Sequence, residues 1–330
     1  MQNRESALKN WLNQLYPHRG AELTKLAGDA SFRRYFRISA EDESFIAMDA
    51  PPEKEPLMPF IQINALLRAH QIFTPKIINA NMQGGFLLLE DLGDKLFLDQ
   101  VQDEKAEELY HQALDLLVKI QKINHFEMKL PRFSEQFMLE QMNLFEYWFV
   151  TQFIQKSLSD REKQIMRDCF NWIASQVSKQ PYVFMHADFH SRNLMLSGTQ
   201  DSVKLAVIDF QDAMLGPVTY DLVSILKDCY ILWPEEQREK WLRYFYKHPQ
   251  MTHYQNYSDF KFDFELTGVQ RHIKVLGIFA RLSIRDKKSA YIQDMPIAMN
   301  YLLNAIEPIE QLSSFYQLLV DAILPKFKEK

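Results

Sequence analysis

Apolar positions along the first part of the chain alternate between a helical and an extended period. Ala7, Leu8, Trp11, Leu12 and Leu15 recur at helical spacing, which predicts an opening amphipathic helix whose apolar stripe packs on the next elements of the chain. Residues 32–38 and 44–48 are rich in aromatic and β-branched side chains and flank a polar turn, a pattern of two antiparallel strands. After a Pro-rich break, residues 57–70 return to helical spacing, and Ile77-Ile78 and residues 85–90 read as two further strands. The first part of the chain thus predicts a small sheet with a helix.

From Glu104 onward the period is helical. Ala106, Leu109, Ala113, Leu116, Leu117 and Ile120 form a continuous apolar stripe, and residues 136–155 and 162–177 repeat the pattern. Phe145, Trp148 and Phe149 fall within it at helical spacing and read as core, with Trp148 only a minor candidate for stacking on a ligand. Residues 181–210 interrupt the helical run: two apolar segments, 182–185 and 205–208, flank a polar loop and predict buried strands with reactive side chains at their ends. No repeat or flexible linker is visible, so the expectation is an α+β chain of two lobes, residues 1–91 and 92–330, joined near 90–93.

Composition narrows the functional classes. With 330 residues, 47% of them hydrophobic and 25% charged, the chain has material for one large core or two smaller ones. A formal net charge of -5 gives no footprint for wholesale binding to nucleic acid or to an anionic membrane. Cys169 and Cys229 are the only cysteines and lack metal-binding or disulfide spacing. The opening residues lack the apolar core of a signal peptide, and no apolar run approaches the ~20 residues that span a bilayer. A soluble cytoplasmic protein with no obligate protein partner is expected.

The chemistry concentrates in His186-Ala187-Asp188-Phe189-His190-Ser191-Arg192-Asn193, followed by Val207-Ile208-Asp209-Phe210. The HxDxxxxN loop and the later Asp-Phe pair match the phosphoryl-transfer machinery of kinases in identity, spacing and order. Phosphoryl transfer needs an acceptor for the attacking hydroxyl's proton, and oxygen ligands that hold Mg²⁺ against the phosphates of ATP. Asp188 is the candidate base, and Asn193 and Asp209 are the candidate magnesium ligands, their hard oxygens suited to that ion. His186 is expected to be buried and to hold the loop's shape, and His190 to support the acceptor side.

On these residues the chain resembles the aminoglycoside phosphotransferase and choline kinase superfamily, which has the bilobal protein-kinase-like fold: a small antiparallel-sheet N-lobe and a mainly helical C-lobe. The resemblance implies that Asp221, within Gly216-Pro217-Val218-Thr219-Tyr220-Asp221-Leu222, braces the catalytic loop. It implies that the backbone at Glu90 and Leu92, in Leu88-Leu89-Glu90-Asp91-Leu92-Gly93, meets adenine. It also makes Gly28-Asp29-Ala30-Ser31-Phe32 the turn that covers the phosphates. More narrowly, Gly28 to Arg37, Met48-Asp49-Ala50-Pro51-Pro52 and Gln270 to Leu282 are similar to bacterial anomeric kinases of N-acetylmuramate and N-acetylglucosamine, which make sugar 1-phosphates in cell-wall recycling.

Two departures matter. A protein kinase pairs a Lys on the third strand with a Glu on the next helix, whereas this strand reads Phe45-Ile46-Ala47-Met48-Asp49 and residues 57–70 contain no Glu. Arg33 or Arg34, just after the turn, is the available cation for orienting the phosphates. Gln211 also replaces the Gly of the Asp-Phe-Gly motif. For the acceptor, the basic and polar run Gln270-Arg271-His272-Ile273-Lys274 favours a neutral or anionic molecule over a cationic one; Arg271 and Lys274 share a helical face, and Arg271 or His272 is the candidate contact. The alternatives are an aminoglycoside- or choline-type kinase, and a nucleotide-binding pseudokinase scaffold motivated by the missing Lys/Glu pair.

Overall fold

The computed structural model describes residues 2–15, 22–26, 31–40, 43–101, 103–124, 128–198 and 204–330. The chain divides into two units, Met1–Gln100 with Arg192–Asp212, and Val101–Ser191 with Ala213–Lys330. The sequence placed the division at residue 91. The hairpin within Arg192–Asp212, from far along the chain, belongs to the first unit.

The first unit opens with α1 (Gln2–Leu15), then β1 (Glu22–Lys25), β2 (Arg34–Ala40), β3 (Glu43–Asp49), α2 (Leu57–Ala69), β4 (Ile77–Asn81), β5 (Phe86–Glu90) and the single turn α3 (Phe97–Gln100). The strands form one antiparallel sheet in the order β1-β2-β3-β5-β4. Strand periodicity points Phe36 and Ile38 to one face, where they join Ala47, Phe86 and Leu88 against Leu8, Trp11 and Leu12 of α1. The opening stripe therefore packs on the sheet, and each large side chain enclosed there contributes about 1.5–3 kcal/mol. Strand β1 is an element the sequence pattern did not reveal.

In the second unit, α4 (Asp103–Gln121), α5 (Glu135–Leu144) and α6 (Asp160–Val177) precede β6 (Tyr182–Met185). Ser159 and Glu162 close a reciprocal capping box at the start of α6, satisfying donors that the first turn leaves open. The helix expected over 136–155 widens into a π-helical stretch at Phe145–Phe153. Phe145 and Phe149 are buried and stack with ring centroids 5.1 Å apart, and Trp148 packs at the edge of the same core.

Strands β7 (Leu194–Ser197) and β8 (Lys204–Val207) pair with each other and belong to the first unit. The Leu196 N–H donates to Lys95 O at 2.8 Å and the Val207 N–H to Phe73 O at 2.8 Å, while Phe60 of α2 meets Phe210 at 4.8 Å between centroids. Strand β9 (Met214–Pro217) pairs antiparallel with β6. Then come α7 (Tyr220–Leu226), α8 (Glu235–Tyr246), the long α9 (Tyr257–Ile284), α10 (Met295–Ile306), α11 (Ser313–Leu318) and α12 (Leu324–Lys328). Helix α9 forms the spine of the second unit's core, with Leu266, Val269, Ile273, Leu276 and Ala280 fully enclosed. Among the described residues, no helix is long and apolar enough to cross a membrane.

Candidate active site

Strand β6 ends at Met185, and the chain turns at once into the predicted catalytic loop. Asp221, at the start of α7 and 1% exposed, accepts the His186 N–H at 2.6 Å and the Ala187 N–H at 3.0 Å. Ala187 sits at φ +76°, a left-handed conformation that a non-glycine residue holds only when its surroundings enforce it. His186 is fully buried, and its Nδ1 accepts the Asp188 N–H at 3.2 Å. Downstream, Asp228 accepts the N–H groups of Ser191 at 2.8 Å and Tyr230 at 3.1 Å. Two buried carboxylates thus hold the loop at both ends; the sequence had pointed only to Asp221.

Charge around Asp188 is arranged from α9. Lys274 Nζ stands 3.9 Å from Asp188 Oδ1 and 3.4 Å from the Tyr220 hydroxyl. Burial acts to raise the Asp188 carboxyl, but Lys274, His190, His186 and Arg271 outweigh it and hold it below the ordinary carboxylate value. Asp221 shows the opposite balance: burial, reinforced by the charge of Asp188, pushes it up to about 7 despite its two backbone donors. The two neighbouring carboxyl groups are therefore separated, one poised ionised and one near neutrality.

Arg271 is 4% exposed, and its contact at the guanidinium end is the Cys229 thiol, 4.0 Å from Nη1. Its Nε is buried with no hydrogen-bond partner among the described residues. His272, expected beside the acceptor, is fully enclosed, with Nδ1 2.6 Å from Gly268 O and Nε2 3.1 Å from Lys227 O. Burial, with Arg271 and Lys227 nearby, lowers it to about 3, so the ring is neutral and braces α9 against the end of α7. Both ring nitrogens face backbone carbonyls, and the neutral ring donates its single N–H to one of them. His190 packs edge-on to Tyr230 at 5.4 Å between centroids.

In the first unit, the other expected chemistry gathers around β7 and β8. Asn193, 4% exposed, precedes β7, and its carbonyl accepts the Ile208 N–H at 3.0 Å, which sets it beside the start of the Asp209 turn. Asp209 adopts φ +60°, and its Oδ1 accepts from Gln211 Nε2 at 3.0 Å. Gln211 Nε2 also reaches Asp212 Oδ2 at 3.1 Å, while its Oε1 is buried without a partner among the described residues. The Asp209 carboxylate, the Asn193 side-chain amide and the orphaned Gln211 Oε1 are each hard-oxygen donors of the kind that suits Mg²⁺.

The sheet also shows where the arginines go. Arg33 pairs with Glu55 at 2.8 Å, and Glu55 Oε1 further accepts from Ser31 Oγ at 3.0 Å and the Phe32 N–H at 3.3 Å. Arg34 pairs with the fully buried Asp49, which also accepts from Arg4 Nε at 2.9 Å. Both candidate phosphate cations are thus engaged with carboxylates; Gly28, Asp29 and Ala30 lie outside the described residues. In the expected hinge, the Glu90 N–H donates to Lys76 O at 2.9 Å and Leu92 is buried. Arg37 reaches across to Asp91 at 2.6 Å and Asp94 at 2.7 Å, bracing that segment. Neither Arg37 nor Glu55 stood out in the sequence, because a strand arginine and a loop glutamate have no motif.

Residues 22–260 match the model of the Phosphotransferase enzyme family, and the chain belongs to that family. It is 37% identical over 328 residues to the N-acetylmuramate/N-acetylglucosamine kinase of Neisseria meningitidis, an alignment covering 97% of this chain and 96% of that protein. It is 36% identical over 312 residues to the protein of the same name from Pseudomonas aeruginosa, covering 94% and 90%. Among solved structures it is similar to the choline kinase LicA from Streptococcus pneumoniae, with a TM-score of 0.63 over 92% of this chain and 99% of that one at 12% identity, a likeness of fold. The expected kinase-like α+β fold and phosphotransferase class are borne out.

Proposed function

We propose that this protein transfers the γ-phosphoryl group of ATP to the anomeric hydroxyl of N-acetylmuramate, N-acetylglucosamine or both, in the cytoplasm. The observation that bears most weight is Asp188 at the head of a clamped loop, with cations from α9 keeping it ionised. The near-full-length likeness to proteins named for that activity supports the choice of acceptor.

In this reading Asp188 takes the proton of the attacking hydroxyl, and an anomeric hydroxyl, more acidic than an ordinary alcohol, asks little of its base. Asn193 and Asp209 would hold Mg²⁺, with Gln211 orienting Asp209. The ion supplies charge neutralisation at the phosphates when bound. By the family resemblance the turn Gly28-Asp29-Ala30-Ser31 would cover the phosphates, and Arg33 and Arg34 can turn toward a phosphate only by leaving Glu55 and Asp49. The backbone at Glu90 and Leu92 meets adenine. His190 lines the acceptor side. Arg271, a buried guanidinium with an unpartnered Nε, takes the carboxylate that N-acetylmuramate has and N-acetylglucosamine lacks. His186, Asp221 and the neutral His272 hold the frame.

Incubation with Mg-ATP and each of N-acetylmuramate, N-acetylglucosamine, choline and kanamycin, read by phosphorus NMR, tests the proposal. A 1-phosphate on an amino sugar supports it; turnover of choline or kanamycin alone overturns the acceptor, and nucleotide binding without turnover of any of the four points to a scaffold.

A further inference from the structure

The motif around Asp188 says nothing about the cation that serves it. Lys274 comes from α9, far along the chain from the catalytic loop, and its side chain is only 12% exposed. A lysine enclosed to that degree ordinarily has a carboxylate partner, because desolvating an unpaired ammonium is costly. The carboxylate it faces is Asp188, 40% exposed, at 3.9 Å.

That separation has a chemical consequence. An ammonium in direct hydrogen-bond contact would occupy a lone pair that could take the proton. At 3.9 Å the Coulomb attraction persists without the ammonium claiming that lone pair. The Tyr220 hydroxyl, 3.4 Å from Nζ, holds the ammonium from the other side. Among the described residues, other charged and titratable groups facing Asp188 include His186 and His190 of its own loop, Arg271 of α9, and Asp221 of α7. After burial, Lys274 is the strongest influence on the carboxyl, and it favours the ionised form.

We propose that Lys274 is a positioning residue for phosphoryl transfer, holding the Asp188 carboxylate ionised and aimed at the acceptor hydroxyl. The inference rests on Asp188 being the base. In the step it serves, the hydroxyl oxygen forms a bond to the γ-phosphorus as the bond from that phosphorus to the β,γ-bridging oxygen breaks. ADP departs with the electron pair, and the hydroxyl proton passes to Asp188 and then to solvent.

The test compares wild type, Lys274→Met, Lys274→Gln and Lys274→Arg with N-acetylglucosamine, an uncharged acceptor, at saturating Mg-ATP across about pH 5 to 9. Removing the charge is expected to lower kcat about tenfold or more and to move the acid limb of the kcat profile up by about one pH unit, with the KM for ATP changed less than about threefold. Lys274→Arg is expected to restore most of kcat and the position of the limb. Lys274→Gln keeps a polar side chain should the methionine variant fold poorly. An unmoved acid limb in the folded neutral variants, or an Arg variant no better than Gln, overturns the role of Lys274. Full activity in Asp188→Asn would instead overturn the base assignment on which the inference stands.

Discussion

The Ala187 N–H donates to Asp221 Oδ1 at 3.0 Å while Ala187 is held at φ +76°, so the carboxylate fixes a strained backbone one residue before the candidate base. Asp221 performs this task from a site that raises it from 3.8 to about 7. A carboxyl raised on folding stabilises the protein most below its unfolded value, and that contribution is lost as pH rises through the folded value. The thermal midpoint of the wild type should therefore fall as pH rises from about 4 to about 7 and level off above that. Asp221→Asn should be less stable at pH 6, having lost one acceptor, yet show a shallower fall over that window. An unchanged slope in scanning calorimetry would contradict this account of Asp221.

The metal side makes a separate prediction. Asn193→Ala and Asp209→Ala should abolish most turnover, and Gln211→Leu, which removes the amide that orients Asp209, should raise the Mg²⁺ concentration for half-maximal activity about tenfold. Titration of activity with Mg²⁺ at fixed ATP checks it. A Gln211→Leu curve that overlays the wild type would leave the glutamine without a part in the site.

Arg271→Met should discriminate between acceptors. Loss of a charge-assisted hydrogen bond of about 1.5–3 kcal/mol predicts a rise of roughly 10- to 100-fold in KM for N-acetylmuramate and a much smaller change for N-acetylglucosamine. Parallel steady-state kinetics with the two sugars decide the matter; equal losses would assign Arg271 to packing instead.

Much of this was legible from residue order, and the exceptions share a cause. The strands at 34–40 and 43–49, the helix at 57–69 and the loop at 186–193 each arise from a local pattern or motif. Strands β7 and β9 did not, because each has four residues, and one reads Met-Leu-Gly-Pro, with two residues that argue against a strand. The β7–β8 hairpin pairs backbone groups with Lys95 and Phe73, contacts that no local period encodes. The π-helical stretch was hidden for the same reason. Lys274 was visible as a neighbour of Arg271 on one helical face, but its approach to Asp188 depends on tertiary packing. His272 sat in a basic run that resembled a ligand surface, and the fold turned it inward.

Packing of α9 supplies a stability prediction. A Cβ on Gly277 would lie 2.5 Å from the carbonyl carbon of Leu144 and 2.6 Å from the Phe145 nitrogen, where α5 passes into the π-helical stretch. Backbone there cannot yield as a side chain would, so Gly277→Ala should cost about 1–3 kcal/mol and lower the Tm by several degrees. A Tm equal to wild type would contradict the close approach.

The central claim is that Asp188 accepts the proton of a sugar hydroxyl during phosphoryl transfer, and the most direct measurement is kcat for Asp188→Asn with Mg-ATP and N-acetylmuramate, alongside ATP affinity. The account predicts a fall in kcat of about 10²- to 10⁴-fold with ATP affinity within a few-fold of wild type. Turnover within tenfold of wild type would contradict it.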